Sequence, residues 1–399
     1  MTYGYGVADV VERYLTLGLQ LGRHVDGLVD SYFGPPELAE AASAADLVPP
    51  AALAADAEAL AGEVASSDLE PRRRAWLADQ IRGVRVYAGM LAGDEISYSD
   101  EIEGCYGVRP ELGSEAAYAA AHEELDDLLP GSGPLFDRSE AWRKEQAVPA
   151  ERMVPALLAV ADVLRARTRS LIELPDGEEL TIEEVHDEPW WAFNYYQGNL
   201  RSHVVMNSDV QTDVGDIVTL AAHEAYPGHH TERVAKEQRL VRERGMWEEA
   251  IQLVPTPQSL VSEGIAEYGL EVLLDEELEE ELEATLAAQG LHTDLRHARA
   301  IDRARKPLRA IGLDTGLLIH EHGASADEAK AHFQQWGLAT PERAASSVRF
   351  ATDPTWRAYA ITYSAGRALC AGYVGDDPTR FATLLTEQVR VSDLLAAQP

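Results

Sequence analysis

Apolar residues recur at the helical period along most of this chain, and polar residues fill the positions between them. This spacing is typical of amphipathic helices. It predicts helices over residues 7–24, 51–65, 71–93, 114–129, 152–170, 215–226, 258–286, 294–311, 326–336, 355–374 and 378–396. Breaks rich in proline and glycine separate several of them, at 33–38, 129–136, 175–179 and 255–259.

Strand patterns are few. The stretch "RSHVVMNSD" (201–209) has the clearest one, and "EELTIEEV" (178–185) comes second. The sequence therefore predicts a mainly α protein with one small β-sheet. A glycine-rich turn at 131–134 divides an N-terminal helical half, about 1–133, from a second half, about 134–399. Because this turn is too short for a linker, we expect a single domain over 1–399.

Charge and hydropathy exclude several kinds of partner. The chain has 34 lysines and arginines against 68 aspartates and glutamates, which gives a net charge of −34. Nucleic acids and anionic membranes would repel such a protein, so we expect neither as a partner. We see no long apolar stretch and no signal peptide at the N-terminus, which predicts a cytoplasmic location. Cys105 and Cys370 are then expected to be reduced thiols.

The stretch "LAAHEAYPGHHTERVAKE" (220–237) begins like the zinc-binding motif H-E-x-x-H, with His223 and Glu224. Pro227 stands where the second histidine of that motif belongs, and His229 and His230 follow. Proline cannot continue a helical hydrogen-bond ladder, and glycine tolerates unusual dihedrals. We therefore expect Pro227 and its neighbouring glycine to form a bulge in the helix, which brings His229 or His230 back beside His223.

A catalytic zinc site needs about three protein ligands and an open position for water. The helix predicted at "LVSEGIAEYGLEVLL" (260–274) offers Glu263 as the third ligand, with Glu267 or Tyr268 as its hydrogen-bonding partner. Glu224, beside the first histidine, is expected to act as the general base on the attacking water. The strand at 201–209 precedes the motif, as do the edge strands that line the cleft of many zinc peptidases.

Structural interpretations compete with these roles. His-Glu pairs also occur at His122–Glu123 and His320–Glu321, without a suitably placed second histidine. Glu263 could belong to a solvated helix face together with Glu267 and Glu271. The strand at 201–209 could be an ordinary core strand. The metal interpretation rests on the combination of the histidines with Glu263.

The motif "HEAYPGHH", followed by "SEGIAEY", resembles the pattern H-E-x-x-P-G-H-H and E-G-x-A-x-Y of the DUF885 family. The stretches at 14–38, 195–209 and 359–369 resemble a shorter branch of that family, so the likeness spans nearly the whole chain. Ile265 and Glu267 depart from the larger family, which often has tryptophan and leucine there.

This resemblance implies a zinc metallopeptidase with a large helical, zincin-like fold, a deep cleft and a small sheet beside the active-site helix. The family is similar in logic to the gluzincin peptidases, including helical carboxypeptidases with H-E-F-G-H. Matching their Gly-His pair to Gly228 and His229 implies that the metal ligands are His223, His229 and Glu263, with His230 as the alternative to His229.

Tyr363 and Arg367 lie one turn apart on a predicted helix near the C-terminus. A tyrosine hydroxyl can stabilise the oxyanion of a tetrahedral intermediate, and an arginine can bind a substrate carboxylate in bidentate fashion. We therefore predict catalytic roles for both. The alternative is that Tyr363 packs in the core and that Arg367 forms an ion pair with an acidic residue.

The expected function is a Zn²⁺-dependent hydrolase of peptide or amide bonds, acting on short peptides in a carboxypeptidase-like way or on a small amide. One alternative is a metal-dependent hydrolase of a non-peptide amide or a specialised metabolite. A second alternative is a non-catalytic metal-binding protein. The oligomeric state is left open.

Overall fold

A computed structural model describes residues 9–188 and 191–398. Helices dominate it, so the prediction of a mainly α fold is confirmed. The α-helices are α1 (Asp9–Gly22), α2 (Pro36–Ala44), α3 (Pro50–Ser66), α4 (Pro71–Leu91), α5 (Tyr98–Tyr106), α6 (Glu115–Leu128), α7 (Leu135–Glu145), α8 (Ala150–Thr168), α9 (Val214–Leu220), α10 (His229–Lys236), α11 (Pro257–Leu273), α12 (Glu276–Ala288), α13 (Leu295–Arg305), α14 (Ile311–His320), α15 (Ala326–Gly337), α16 (Pro341–Thr352), α17 (Arg367–Val374), α18 (Pro378–Thr386) and α19 (Val391–Ala396).

Short turns of other helical types connect some of these helices. Wider π-helical turns lie at Ala221–Ala225, Glu237–Arg242 and Thr362–Gly366. Tighter 3₁₀ turns lie at Trp247–Ala250, Lys306–Ala310 and Arg357–Tyr359. Among the described residues, no helix has both the length and the apolar character that crossing a membrane requires.

The described residues form two small sheets, so the prediction of one sheet was wrong. In the first, β1 (Val29–Tyr32) pairs antiparallel with β5 (Ile251–Leu253). In the second, β2 (Glu179–Val185) runs parallel to β4 (Arg201–Asn207), and β3 (Ala192–Gly198) pairs antiparallel with the other side of β4. Strands as short as β1 and β5 carry almost no periodic signal, and only the folded chain brings them together.

The strand predicted as a cleft edge, 201–209, corresponds to β4 and lies in the middle of its sheet. Val204, Val205 and Met206 are all buried, so β4 is covered on both faces, as is typical of a central strand. The expectation of an edge strand at this position was therefore wrong. The edge strands are β2, which corresponds to the predicted strand 178–185, and β3, which the sequence did not reveal.

Two long predicted helices are each divided in the structure. The stretch 258–286 contains nearly all of α11 and most of α12, and Asp275 caps the second helix by accepting a hydrogen bond from the backbone of Leu278. The stretch 378–396 likewise contains α18 and α19. Apolar periodicity continues across such breaks because both helices cover the same core. It therefore cannot locate the break itself.

One large cluster of buried side chains contains residues from both predicted halves, from Val11 to Leu394. Helix α11 runs through it, and almost every residue from Pro257 to Ala266 is buried. A helix that is buried on all sides belongs to the centre of a large protein. Among its neighbours are α10, α17 and α18. Cys105 and Cys370 are free and buried, as expected for reduced thiols.

The helix that carries His223 does not continue through Pro227. Helix α9 starts at the Asp213 cap and leads into the π-helical turn Ala221–Ala225. Tyr226 is extended, and the new helix α10 begins at His229. The expected bulge within one helix is therefore a break between two helices. Proline and glycine end the first helix, and the chain turns back on itself before the second begins.

Gly228 permits this turn because of its contact with the preceding helix. A Cβ atom at this position would lie 1.9 Å from the carbonyl oxygen of His223 and 2.4 Å from that of Ala222. Both neighbours are backbone atoms, so they cannot move aside cheaply. The backbone N–H of Gly228 also donates to the carbonyl of Ala222 at 2.9 Å.

We expect Gly228→Ala to lower the free energy of unfolding by about 1–3 kcal/mol or more, the usual cost of overpacking a dense site. Denaturant unfolding measures it. The matched control is Gly62→Ala in α3, where no atom lies within 4 Å of the new Cβ. In the interior of a helix, replacement of glycine with alanine raises the free energy of unfolding by roughly 0.5–1 kcal/mol. Equal effects of the two substitutions would contradict the role given to Gly228.

Candidate metal centre

Three side chains from three elements converge beside α11. His223 comes from the π-helical turn, His229 begins α10, and Glu263 lies in the middle of α11. One ligand atom from each lies within 4.8 Å of the other two. The rings of His223 and His229 are nearly perpendicular, with centroids 4.7 Å apart. Within the described part of the chain, this is the group whose residue types and distances suit a metal ion.

The distances within this group match those between neighbouring zinc ligands. Nε2 of His223 lies 3.5 Å from Oε2 of Glu263, and Nε2 of His229 lies 3.4 Å from Oε1. Two ligand atoms at tetrahedral positions, each about 2.0–2.1 Å from zinc, are separated by about 3.3 Å. The three residues therefore fit a zinc ion without rearrangement of the backbone.

Glu263 is a buried carboxylate with an incomplete set of hydrogen bonds. Its Oε1 accepts a hydrogen bond of 2.8 Å from the hydroxyl of Tyr359, and its buried Oε2 has no hydrogen-bond partner. Burial by itself would raise its pKa, but the charges of His229 and His223 outweigh this and lower the pKa to about 2. Oε2 is thus a buried, ionised oxygen that a cation would satisfy.

The other ring nitrogens of the two histidines are also engaged. Nδ1 of His223 lies 3.5 Å from Oε1 of Glu267, and Nδ1 of His229 lies 3.3 Å from the hydroxyl of Ser262. Ser262 in turn donates to Glu232. Contacts of this kind fix the orientation of metal-binding imidazoles and leave Nε2 free for the ion.

These contacts correct one expectation. Glu267 was predicted to contact Glu263, as was Tyr268. The structure places Glu267 against His223 instead, and Tyr359 supplies the hydrogen bond to Glu263. Tyr268 packs against Phe381 and Arg367. Residues on the same helix as Glu263 project beside it, so a partner that faces its carboxylate has to come from another segment.

Glu224 lies next to His223 and is 8% exposed. Its carboxylate has no hydrogen-bond partner among the described residues, while its backbone carbonyl accepts a hydrogen bond of 2.6 Å from the amide of Asn194 on β3. Burial raises the pKa of Glu224, and the charge of Glu263 acts in the same direction. A raised pKa suits a carboxylate that has to accept a proton.

His230, the alternative ligand, points away from this group. It is 0% exposed, with Nδ1 2.8 Å from the hydroxyl of Ser202 and Nε2 3.0 Å from Glu178. Glu178 also accepts from Tyr226 and pairs with Arg165. Neighbouring residues at the start of a helix project in different directions. His229 therefore faces α11, whereas His230 faces the three-stranded sheet.

Tyr363 lies at the centre's accessible side. It is 41% exposed, and its ring lies 5.5 Å from that of Tyr359, which binds Glu263. Desolvation of the phenol among its neighbours, and then the charges of Glu263, Glu267 and Glu224, raise the pKa of Tyr363. The phenol thus keeps its proton and can donate a hydrogen bond.

Arg367 lies apart from the three converging side chains. Its guanidinium pairs with Glu271 and lies over the ring of Tyr268. The expected role as a clamp for a substrate carboxylate is therefore unsupported, because Glu271 already provides its counter-charge. This is the structural alternative that the sequence left open.

The remaining His-Glu pairs have structural contacts. Nε2 of His122 lies 2.8 Å from the carbonyl oxygen of Trp336, and Nε2 of His320 lies 2.7 Å from that of Ala351. Each of these histidines joins two helices through a hydrogen bond to a main-chain carbonyl.

Sequence reasoning missed several residues of the centre. Asp30 on β1 and Arg233 on α10 form an ion pair of 3.2 Å, and Arg233 lies one helical turn after His229. Tyr359, Ser262 and Asn194 also contact the centre. Ser262 and Arg233 lie within the quoted motif stretches but had no role assigned, whereas Asp30, Asn194 and Tyr359 reach the site through long-range packing. The nearest available signal was the resemblance of 14–38 and 359–369 to the family, since these stretches contain Asp30 and Tyr359.

Ion pairs neutralise most of the acidic side chains around the centre. The pairs are Asp30 with Arg233, Glu232 with Lys236, Glu267 with Arg309, and Glu271 with Lys306 and Arg367. Among the described residues, no lysine or arginine pairs with Glu224 or Glu263. Two carboxylates thus face the histidines without a permanent cation, and a divalent ion would balance their charge.

A cavity of about 110 Å³ adjoins the centre on the side of Ala222, Ala266 and Glu267. It is smaller than the sites that typically enclose a drug-sized ligand, which measure about 300–1,000 Å³. The deep cleft implied by the family resemblance therefore stays a prediction.

No family model matches the sequence, and no curated protein matches it either. Several solved structures match its fold, and two of them are described as lipoproteins. One, described as a "putative lipoprotein" from Colwellia psychrerythraea, has a TM-score of 0.54 and 13% identity, and the match covers 86% of this chain but 65% of that one. The other, described as a "putative lipoprotein of unknown function" from Shewanella oneidensis, has a TM-score of 0.52 and 12% identity, with coverage of 90% and 75%. At such identities the likeness concerns the fold alone.

Proposed function

We propose that this protein is a zinc-dependent hydrolase of peptide or amide bonds in short substrates, related to the DUF885 family. The observation that carries the proposal is the convergence of His223, His229 and Glu263 beside the unpaired carboxylate of Glu224. Two imidazoles and one carboxylate form a ligand set typical of catalytic zinc sites, which keep one position open.

Each residue of the candidate centre has its own role in the proposed reaction. His223, His229 and Glu263 would hold Zn²⁺, which supplies a Lewis acid for the scissile carbonyl and lowers the pKa of water to about 7. Glu224 orients the attacking water, accepts its proton and passes that proton to the leaving amine. Tyr363 donates a hydrogen bond to the carbonyl oxygen as that oxygen gains negative charge.

Two observations favour catalysis over a structural metal site. Structural zinc sites are almost always closed by four protein ligands, whereas three residues converge here. Glu224 is buried next to the ligands without an ion-pair partner, and a structural site has no use for such a group. A non-peptide amide would satisfy the same geometry, so it remains the second candidate substrate class.

The test is removal and restoration of the metal. Protein treated with a chelator is expected to lose hydrolysis of a tripeptide library, and one equivalent of Zn²⁺ is expected to restore it. A parallel screen of non-peptide amides separates the two substrate classes. If protein purified without chelators contains no metal, or if the metal-loaded protein cleaves neither class, the proposal fails and the non-catalytic alternative gains support.

The cytoplasmic location and the absence of nucleic-acid and membrane partners stay predictions. They rest on the net charge of −34 and on the sequence of the N-terminus. The oligomeric state stays open.

A further inference from the structure

Asp30 occupies an irregular position in β1. In the pairing with β5, Val29 lies opposite Leu253 and Ser31 lies opposite Gln252, so the register shifts around Asp30. An irregularity of this kind redirects a side chain and is common beside functional sites. The Asp30 carboxylate reaches Arg233, which lies one helical turn after the candidate ligand His229. The N-terminal half of the chain thus contributes a charged group to the metal centre.

The carboxylate of Asp30 differs from the other paired carboxylates around the centre. Glu232 uses one oxygen for Lys236 and the other for Ser262, and Glu267 and Glu271 likewise use both of their oxygens. Asp30 bonds to Arg233 through Oδ2 alone. Within residues 9–188 and 191–398 its Oδ1 has no hydrogen-bond partner.

Asp30 is also the accessible member of its ion pair. Its side chain is 23% exposed, whereas that of Arg233 is 7% exposed. A ligand that approaches the pair therefore finds more of Asp30 than of Arg233 accessible to it. The contact it offers is a charge-assisted hydrogen bond, which requires a donor and favours a cation.

Aromatic rings lie in the same corner of the centre. The rings of Trp356, Tyr359 and Tyr363 follow one another edge to face, with centroid distances of 5.9 and 5.5 Å. The segment that leads into β1 packs against the first of these rings, because a Cβ atom on Gly27, three residues before Asp30, would lie 3.3 Å from the ring of Trp356. A carboxylate beside aromatic faces is a favourable environment for an ammonium group.

We propose that Asp30 determines substrate specificity by binding a protonated amine, and that the substrates are short peptides or amides with a free amino group close to the scissile bond. This rests on the proposed function. The arginines and lysines that pair with Glu267 and Glu271 have their charges neutralised. Asp30, in contrast, keeps one carboxylate oxygen open, so we expect recognition of the amino end of the substrate and an aminopeptidase-like rather than a carboxypeptidase-like preference.

The test compares tripeptides of alanine, leucine and phenylalanine in three forms: free at both ends, N-acetylated, and C-amidated. With zinc-loaded wild-type protein, acetylation is expected to lower kcat/KM by about 10- to 100-fold, the loss that follows removal of a charged hydrogen bond. Amidation of the C-terminus is expected to change kcat/KM by less than about 3-fold.

Substitutions at Asp30 test whether this residue causes the preference for a free amino group. Asp30→Asn is expected to lower kcat/KM for free peptides to the level of the acetylated ones, with little effect on the acetylated peptides themselves. The matched control is Asp26→Asn, because Asp26 is an exposed aspartate just before β1. This variant is expected to leave kcat/KM unchanged for both free and acetylated peptides. Asp30→Glu is expected to retain part of the preference, which guards against a folding defect in the first variant.

Binding to zinc-loaded Glu224→Gln protein separates this inference from the proposed function. Calorimetry is expected to show tighter binding of free than of acetylated peptides. If this preference exists but wild-type protein cleaves nothing, the proposed function fails and the role of Asp30 stands. Three results would each overturn the inference. The first is equal binding and cleavage of free and acetylated peptides, and the second is no binding of any peptide. The third is a dependence on the free C-terminal carboxylate of the peptide that Arg233→Gln removes.

Discussion

Replacing Glu224 with glutamine is expected to abolish hydrolysis while zinc stays bound. The amide keeps the size and most of the shape of the side chain but cannot accept a proton from water. General-base catalysis contributes about 10²- to 10⁴-fold to rate, so kcat should fall by that factor. The measurement pairs steady-state kinetics on the best peptide substrate with metal analysis of the same protein preparation.

The matched control for this variant is Glu123→Gln. Glu123 also follows a histidine on a helix, but it is exposed, and that histidine bonds to a main-chain carbonyl far from the centre. We expect the control to keep full activity and full metal content. An active Glu224→Gln protein would remove the base from the mechanism, and one without zinc would show that Glu224 helps to hold the ion.

Single substitutions of the three converging residues should empty the centre. His223→Ala, His229→Ala and Glu263→Ala each remove one of the three proposed ligands. We expect each to weaken zinc affinity by more than the about 10- to 100-fold that follows loss of an orienting contact. Metal content after gel filtration and competition with a chromogenic chelator provide the measurement, and neither depends on knowledge of the substrate.

His230→Ala is the neighbouring control, with the opposite expectation. The variant should keep zinc, because His230 bonds to Ser202 and Glu178 on the sheet side. It should lose stability by about 1–3 kcal/mol, because buried polar groups lose a hydrogen-bond partner. If His230→Ala loses the metal and His229→Ala retains it, the second ligand has been assigned to the wrong histidine.

Most of the helical character of this protein follows from local pattern. Apolar residues that return every three or four positions predict a buried helix face wherever the helix packs. The breaks between α11 and α12 and between α18 and α19 did not follow, because the apolar periodicity continues across them. The pairing of β1 with β5 also could not be predicted: two strands of a few residues, far apart in sequence, meet only through the packing of the helices between them.

The residues of the candidate site also fall into two groups: those that the sequence indicated and those that only the folded structure identified. His223, Glu224, His229 and Glu263 could be selected because a metal site demands particular residue types at particular spacings. Asp30 carries no such mark, since nothing in the local sequence distinguishes it from other acidic residues. The role predicted for Arg367 shows the converse, because its residue type suits a substrate clamp and its surroundings supply Glu271 instead.

The sequence by itself determined the helical class of the fold, the acidic surface and the residue types available for a metal. These depend on composition and on spacing within a few turns of chain. Only the tertiary structure decided that the Pro-Gly pair separates two helices, which of the adjacent histidines His229 and His230 faces Glu263, and that Asp30 lies beside them. Each of these depends on the direction in which a side chain leaves its element, and contacts between distant segments set that direction.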